Sequence, residues 1–165
     1  MATRADTPLM LCYDGSDPAK HAIERAADLL RTRNALVLNV WQTTVGLGSF
    51  AWAGATENMI DYVGLDRAAA ELGGRIVSEG VRVAQHAGLE AEPLAVKATG
   101  PVWTTILEVA ERYDASMIVI GSRGLTGLRS ILLGSVSTAV VHHADRPTLV
   151  IHSPSGEDGA SELAA

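Results

Sequence analysis

The chain has one cysteine in 165 residues, Cys12. It cannot form an internal disulfide, and a reducing compartment is its simplest setting. Positive charge is scarce: 13 Lys and Arg stand against 19 Asp and Glu, for a net charge of −6. That balance excludes broad, non-specific binding to nucleic acid or acidic membranes. It does not exclude a nucleotide, because a local nest of donors holds phosphate on an acidic protein. No apolar run approaches the about 20 residues of a membrane-spanning helix. Residues 1–7 lack the apolar segment of a signal peptide, so the expected location is the cytoplasm. No spaced set of Cys, His and Asp suggests a metal site. His142 and His143 are adjacent, so on a helix they point in different directions and suit a helix C-terminus better than a shared ion. No nucleophile, base and orienting group fall into a recognisable pattern. The expectation is therefore no catalytic residue and no metal ligand.

What is present is a core-forming chain of single-domain length, 47% apolar and 19% charged. The apolar run Leu9 to Tyr13 reads as a strand buried on both faces, as parallel strands are. Asp17 and Pro18 open a helix, with Ser16 or Asp17 as its cap. Ala22, Ile23, Ala26, Ala27 and Leu30 recur at helical spacing as its packing face. Asn34 breaks the helix and residues 35–40 form a second strand. A long connection follows over residues 41–58, the length of a functional loop. The next helix is expected over about 58–87, with Met59, Val63, Leu72, Ile76, Val83 and Ala87 inward. Gly73 and Gly74 would bend or weaken it, and Gly88 stops it. Residues 90–96, with charges and a proline, read as an edge strand. Pro101 starts a helix with Ile106, Val109 and Ala110 inward. Residues 116–120 form the fourth strand, Val136 to His143 the fourth helix, and Thr148 to Ile151 the fifth strand. Residues 1–7 and 153–165 read as flexible tails around a domain at 8–152.

Alternating strands and helices imply an α/β fold: a doubly wound, parallel, Rossmann-like sheet with helices on both faces and an expected strand order of 3-2-1-4-5. Ligands of such sheets sit beyond the C-terminal strand ends. Asp14, Val40 and Gly121 all lie at such ends.

The segment from Gly121 to Ser135 links strand to helix through a glycine-rich loop. Gly121 and Gly124 allow a sharp turn beside a phosphate, and Gly134 presents its amide at the helix entrance. Ser135 and Ser137 add donors, and Arg123 and Arg129 can neutralise distal phosphates. The alternative is a structural turn. The Walker lysine is absent at the required spacing, so this is not a P-loop. Asp14 suits either a ribose or adenine amino contact or a local Asx turn before Gly15. Val40 suits core packing, or a backbone contact to a base edge. Gly46 to Ala51 matches a loose dinucleotide pattern, but after the wrong strand. Trp41 and Trp52 flank that loop, Trp103 reads as a packing residue, and Cys12 as an inert core thiol.

With these motifs in place the chain resembles a universal stress protein over roughly residues 8–152. The resemblance rests on Asp14, Gly15 and Ser16 after the first strand and on the spacing of Gly121, Gly124, Gly134 and Ser135. Residues 147–151, Pro-Thr-Leu-Val-Ile, add a third element. It implies the branch of that family that binds ATP, with AMP or ADP as alternatives and Mg²⁺ accompanying the nucleotide. Asp14 would then meet the adenosine end and Val40 the adenine. Gly121, Gly124, Gly134, Ser135, Val136 and Ser137 would hold ribose and phosphates. The resemblance also implies a homodimer through residues 148–151, and a stress-response role exerted through a protein partner. A slow ATPase or adenine-nucleotide hydrolase is the alternative function.

Overall fold

A computed structural model describes residues 7–43, 62–124 and 133–153. The elements run β1 (Leu9–Cys12), α1 (Asp17–Leu29), β2 (Asn34–Trp41), α2 (Tyr62–His86), β3 (Glu90–Lys97), α3 (Val102–Arg112), β4 (Met117–Gly121), α4 (Ser135–His143) and β5 (Thr148–Ile151). The sheet has five strands in the order β3-β2-β1-β4-β5, as expected, and every pairing is parallel. The expected tails fall almost entirely outside the described residues, as do the 46–51 match and Trp52.

Burial follows position in the sheet: the central β1 is almost wholly buried, whereas the edge strand β5, of the same length, is mostly half-buried. β1 sits at the centre, and Leu9, Met10 and Leu11 are each at most 2% exposed. Alternation sends Leu9 and Leu11 to one face, where α1 and α2 pack, and Met10 to the other, where α3 and α4 pack. The Ser16 hydroxyl caps α1 by accepting from Ala19 N. Ala19, Ala22, Ile23, Ala26 and Ala27 form its buried face. Asn34 does not break that helix: α1 ends at Leu29 and Asn34 already begins β2.

Helix α2 corrects the expected packing face. Val63 is 81% exposed and Leu72 52% exposed, whereas Gly73, Val77, Gly80 and Ala84 form the buried stripe. Small residues won because the helix lies almost on the sheet. A Cβ on Gly80 would stand 2.7 Å from Tyr13 Cδ1 and 2.8 Å from Val37 Cγ1. The two glycines read as weak points are, at Gly73, a fitted contact. Ile76, Val83 and Ala87 flank the stripe. β3 occupies the sheet edge with Pro93 on it, where the missing N–H disturbs only one neighbour. Among the described residues no helix is long and apolar enough to cross a membrane.

Candidate functional site

After β1 the chain turns to one side of the sheet, toward β2, and after β4 to the other, toward β5. The two connections part, and a crevice opens between the ends of β1 and β4. It holds a cavity of about 270 Å³. Asp14, Val40, Gly121, Arg123, Gly124, Gly134, Ser135, Val136 and Ser137 all line it, although they come from distant parts of the sequence. Arg129, also expected at the site, lies outside the described residues.

One half of the cavity is apolar. Cys12, Leu38, Val40, Val102, Ile106 and Ile120 wall it. Cys12 is thus a lining residue more than a core one. Burial, and then the nearby Asp14 carboxylate, push its thiol up to about 12, so it stays protonated and uncharged. The apolar run and the helical spacing marked Cys12 and Ile106 as interior but could not show that they end at a gap.

Val40 has a further role through its backbone. Leu38 O accepts from Tyr13 N at 2.9 Å, so Leu38 points its peptide groups at β1. Trp41 O accepts from Ala98 N at 2.9 Å, so Trp41 points toward the β3 side. Alternation turns the Val40 N–H and C=O toward β1. There β1 has already ended, at Cys12. Those two groups face the crevice, which Val40 lines.

Asp14 divides its carboxylate between two tasks. Oδ1 accepts from Ser16 N at 3.0 Å and from Ser16 Oγ at 2.5 Å, the local turn expected of it. Gly15 completes the turn with φ at +85°, where a side chain would be strained. Oδ2 faces Gly124 across the cavity: a Cβ on Gly124 would stand 2.6 Å from it. The two readings of Asp14 are compatible because they use different oxygens.

The other half of the cavity is built of backbone donors. Gly134 caps α4 without a side-chain hydrogen bond, so the first-turn amides are left to a ligand or solvent. With the helix dipole behind them they favour an anion. Gly134 N donates to Ser122 O at 2.7 Å, so, against expectation, its own amide is taken up by the main chain and is not the one presented at the helix entrance. Ser137 Oγ donates to Gly121 O at 2.8 Å. The Ser137 hydroxyl is therefore occupied in pinning α4 to the end of β4, and its amide remains in the first turn. Arg123 lies at the rim, half-buried. Among the described residues no group of three or more His, Cys, Asp and Glu is placed to hold a metal ion.

Comparison with known proteins places this geometry among relatives. The model of the universal stress protein family matches residues 7–152. The universal stress protein YxiE of Bacillus subtilis is 29% identical over 156 residues, spanning 87% of this chain and 97% of the relative. The universal stress protein UspA of Lactobacillus plantarum superposes with a TM-score of 0.65 at 24% identity, over 88% of this chain and 97% of that one. A universal stress protein family member of Arabidopsis thaliana, solved with AMP bound, gives 0.58 at 18% identity over 94% and 97% of the two chains. Further structures of the same fold were solved in complex with cAMP and, from Archaeoglobus fulgidus, with dAMP.

Proposed function

The chain belongs to the universal stress protein family, and from that premise we propose that it binds ATP as a regulatory ligand in a stress response. The observation that supports this most is the convergence of three strand ends on one cavity. Asp14, the Val40 peptide groups and the glycine loop with the α4 N-terminus stand around it. The apolar wall suits a base, Asp14 Oδ2 a ribose hydroxyl or amino group, and the uncapped amides a phosphate chain. Arg123 and Arg129 would meet the distal phosphates, with Mg²⁺ entering alongside the nucleotide. Structures of relatives with AMP, dAMP and cAMP support an adenine nucleotide in this cleft.

The protein would act in the cytoplasm as a homodimer. β5 is a sheet edge, and Thr148, Leu149 and Val150 on it are only partly buried, a surface suited to a second copy. Nucleotide occupancy would then be read by a protein partner. Hold-and-signal behaviour fits a site with phosphate donors in a chain whose sequence lacks the Walker lysine.

Heat or acid denaturation of the purified protein, with analysis of released small molecules, tests the reading. Calorimetric titration with ATP then follows. An adenine nucleotide in the released fraction, or saturable heat, is the expected result. Neither appearing would sink it. Phosphate release at high protein concentration separates a regulator from a slow ATPase: turnover lost in Asp14→Ala would favour the enzyme.

A further inference from the structure

We infer, on the reading above, that Asn39 is a positioning residue for the base end of the site: its side chain takes the Tyr13 carbonyl and so leaves the Val40 N–H open to a ligand. The register pairs Cys12 with Leu38. One step further, Tyr13 N donates to Leu38 O at 2.9 Å. The next bond of a regular parallel ladder would run from Val40 N–H to Tyr13 O. Among the described residues the donor to that carbonyl is the Asn39 amide, Nδ2, at 2.8 Å.

Two acceptors would otherwise compete for one donor. The Tyr13 carbonyl and an incoming base edge both lie on the side that Val40 N–H faces. Asn39 supplies a second donor, and the competition disappears. The same bond fixes the peptide plane between Tyr13 and Asp14, and hence the direction in which Asp14 enters the cavity.

The side chain is out of place for any purely packing role. Asn39 is 4% exposed, next to Val37 at 0% and Leu38 at 1%. Its Oδ1 has no hydrogen-bond partner among the described residues. A buried amide with half its capacity unmet is disfavoured against an apolar residue of similar size. The side chain is also held in place. A Cβ on Gly73 would stand 3.0 Å from Asn39 Oδ1 and 2.8 Å from Trp41 Cδ1. Helix α2 thus lies close over the Asn39 Oδ1 side and leaves it little room to turn away from the Tyr13 carbonyl.

The test uses the full chain labelled with ¹⁵N, as wild type, Asn39→Ala and Gly73→Ala. Hydrogen exchange at the Val40 amide is read without ligand. Adenosine, AMP and inorganic tripolyphosphate are then titrated separately. In the wild type the free Val40 amide should exchange fast and become protected by adenosine. In Asn39→Ala the Tyr13 carbonyl should capture it, slowing exchange about tenfold and weakening adenosine and AMP by a similar factor. Tripolyphosphate binding should not change. Gly73→Ala, which favours the helix but crowds Asn39, should move both readouts the same way by less. Equal Val40 exchange in wild type and Asn39→Ala overturns the inference. So does equal weakening of adenosine and tripolyphosphate, which would mark Asn39 as general scaffold. A wild type that binds none of the three probes defeats the nucleotide reading, while the exchange measurement still decides the role of Asn39.

Discussion

Gly124 and Asp14 face each other so closely that no side chain fits between them: a Cβ on Gly124 would stand 2.6 Å from Asp14 Oδ2. The glycine loop and the first strand end are therefore one fitted unit across the cavity. Gly124→Ala should displace the Asp14 carboxylate from the site. Adenine-nucleotide affinity should fall about tenfold or more, which is about 1.4 kcal/mol per tenfold. The ligand-free melting temperature should barely move, because Gly124 lies at the rim of the fold. Calorimetry and thermal melts check the two halves.

Ser16 does two jobs with one hydroxyl, donating to Asp14 Oδ1 and capping α1 by accepting from Ala19 N. Ser16→Ala should lower stability by about 1 kcal/mol, the usual cost of a lost N-cap. It should also loosen Asp14 and weaken nucleotide. Urea unfolding with and without ATP measures both. A stability loss with unchanged affinity would show that the Ser16 backbone N–H alone holds the carboxylate.

Alkaline pH should destabilise the fold earlier than a typical core would allow. Burial raises Cys12 from its ordinary 9.0 to about 12. Burial, and then the hydrogen bond to Glu79, raise Tyr13 from 10.0 to about 12. Between those limits the unfolded chain has released protons that the folded chain still holds. Stability therefore falls as pH rises through this window and is unaffected by these groups below about 9. Cys12→Ala should remove the early part of the decline in denaturant titrations taken from pH 8 to 11.

Gly80→Ala pits two effects against each other. Alanine gains about 1 kcal/mol of helix propensity over glycine. The new methyl would meet Tyr13 at 2.7 Å and Val37 at 2.8 Å, both buried. Overpacking of that kind costs about 1–3 kcal/mol, so the variant should be net destabilised. Gly74→Ala, with nothing within 4 Å of its Cβ, should be stabilised. Paired urea melts compare the two signs directly.

The strand order, the helices among the described residues and the meeting of distant strand ends were legible in the sequence. Alternating apolar runs and glycine punctuation carry that information locally. The face of α2 was not. Large apolar residues marked one stripe, but tight contact with the sheet selected glycines and alanine, and periodicity scores small residues poorly. Asp14 could be given two roles from sequence, and only the separate directions of Oδ1 and Oδ2 reconcile them. Asn39 carried only a weak local signal, one polar residue in the otherwise apolar run 35–40. Its meaning depends on where β1 stops relative to β2, a property of two strands and not of either sequence. Cys12 and Ile106 read as interior because their neighbours are apolar; the cavity beside them follows from the parting of connections at the centre of the sheet.

The bond from Gly134 N to Ser122 O draws the chain back to the point it left, at 2.7 Å. The carbonyl just beyond β4 and the amide at the entrance of α4 are therefore joined by main chain alone, through a bond that needs no side chain at either position. The offset of that helix from that strand, and with it one wall of the cavity, is a property of the backbone and should survive side-chain substitution at Ser122.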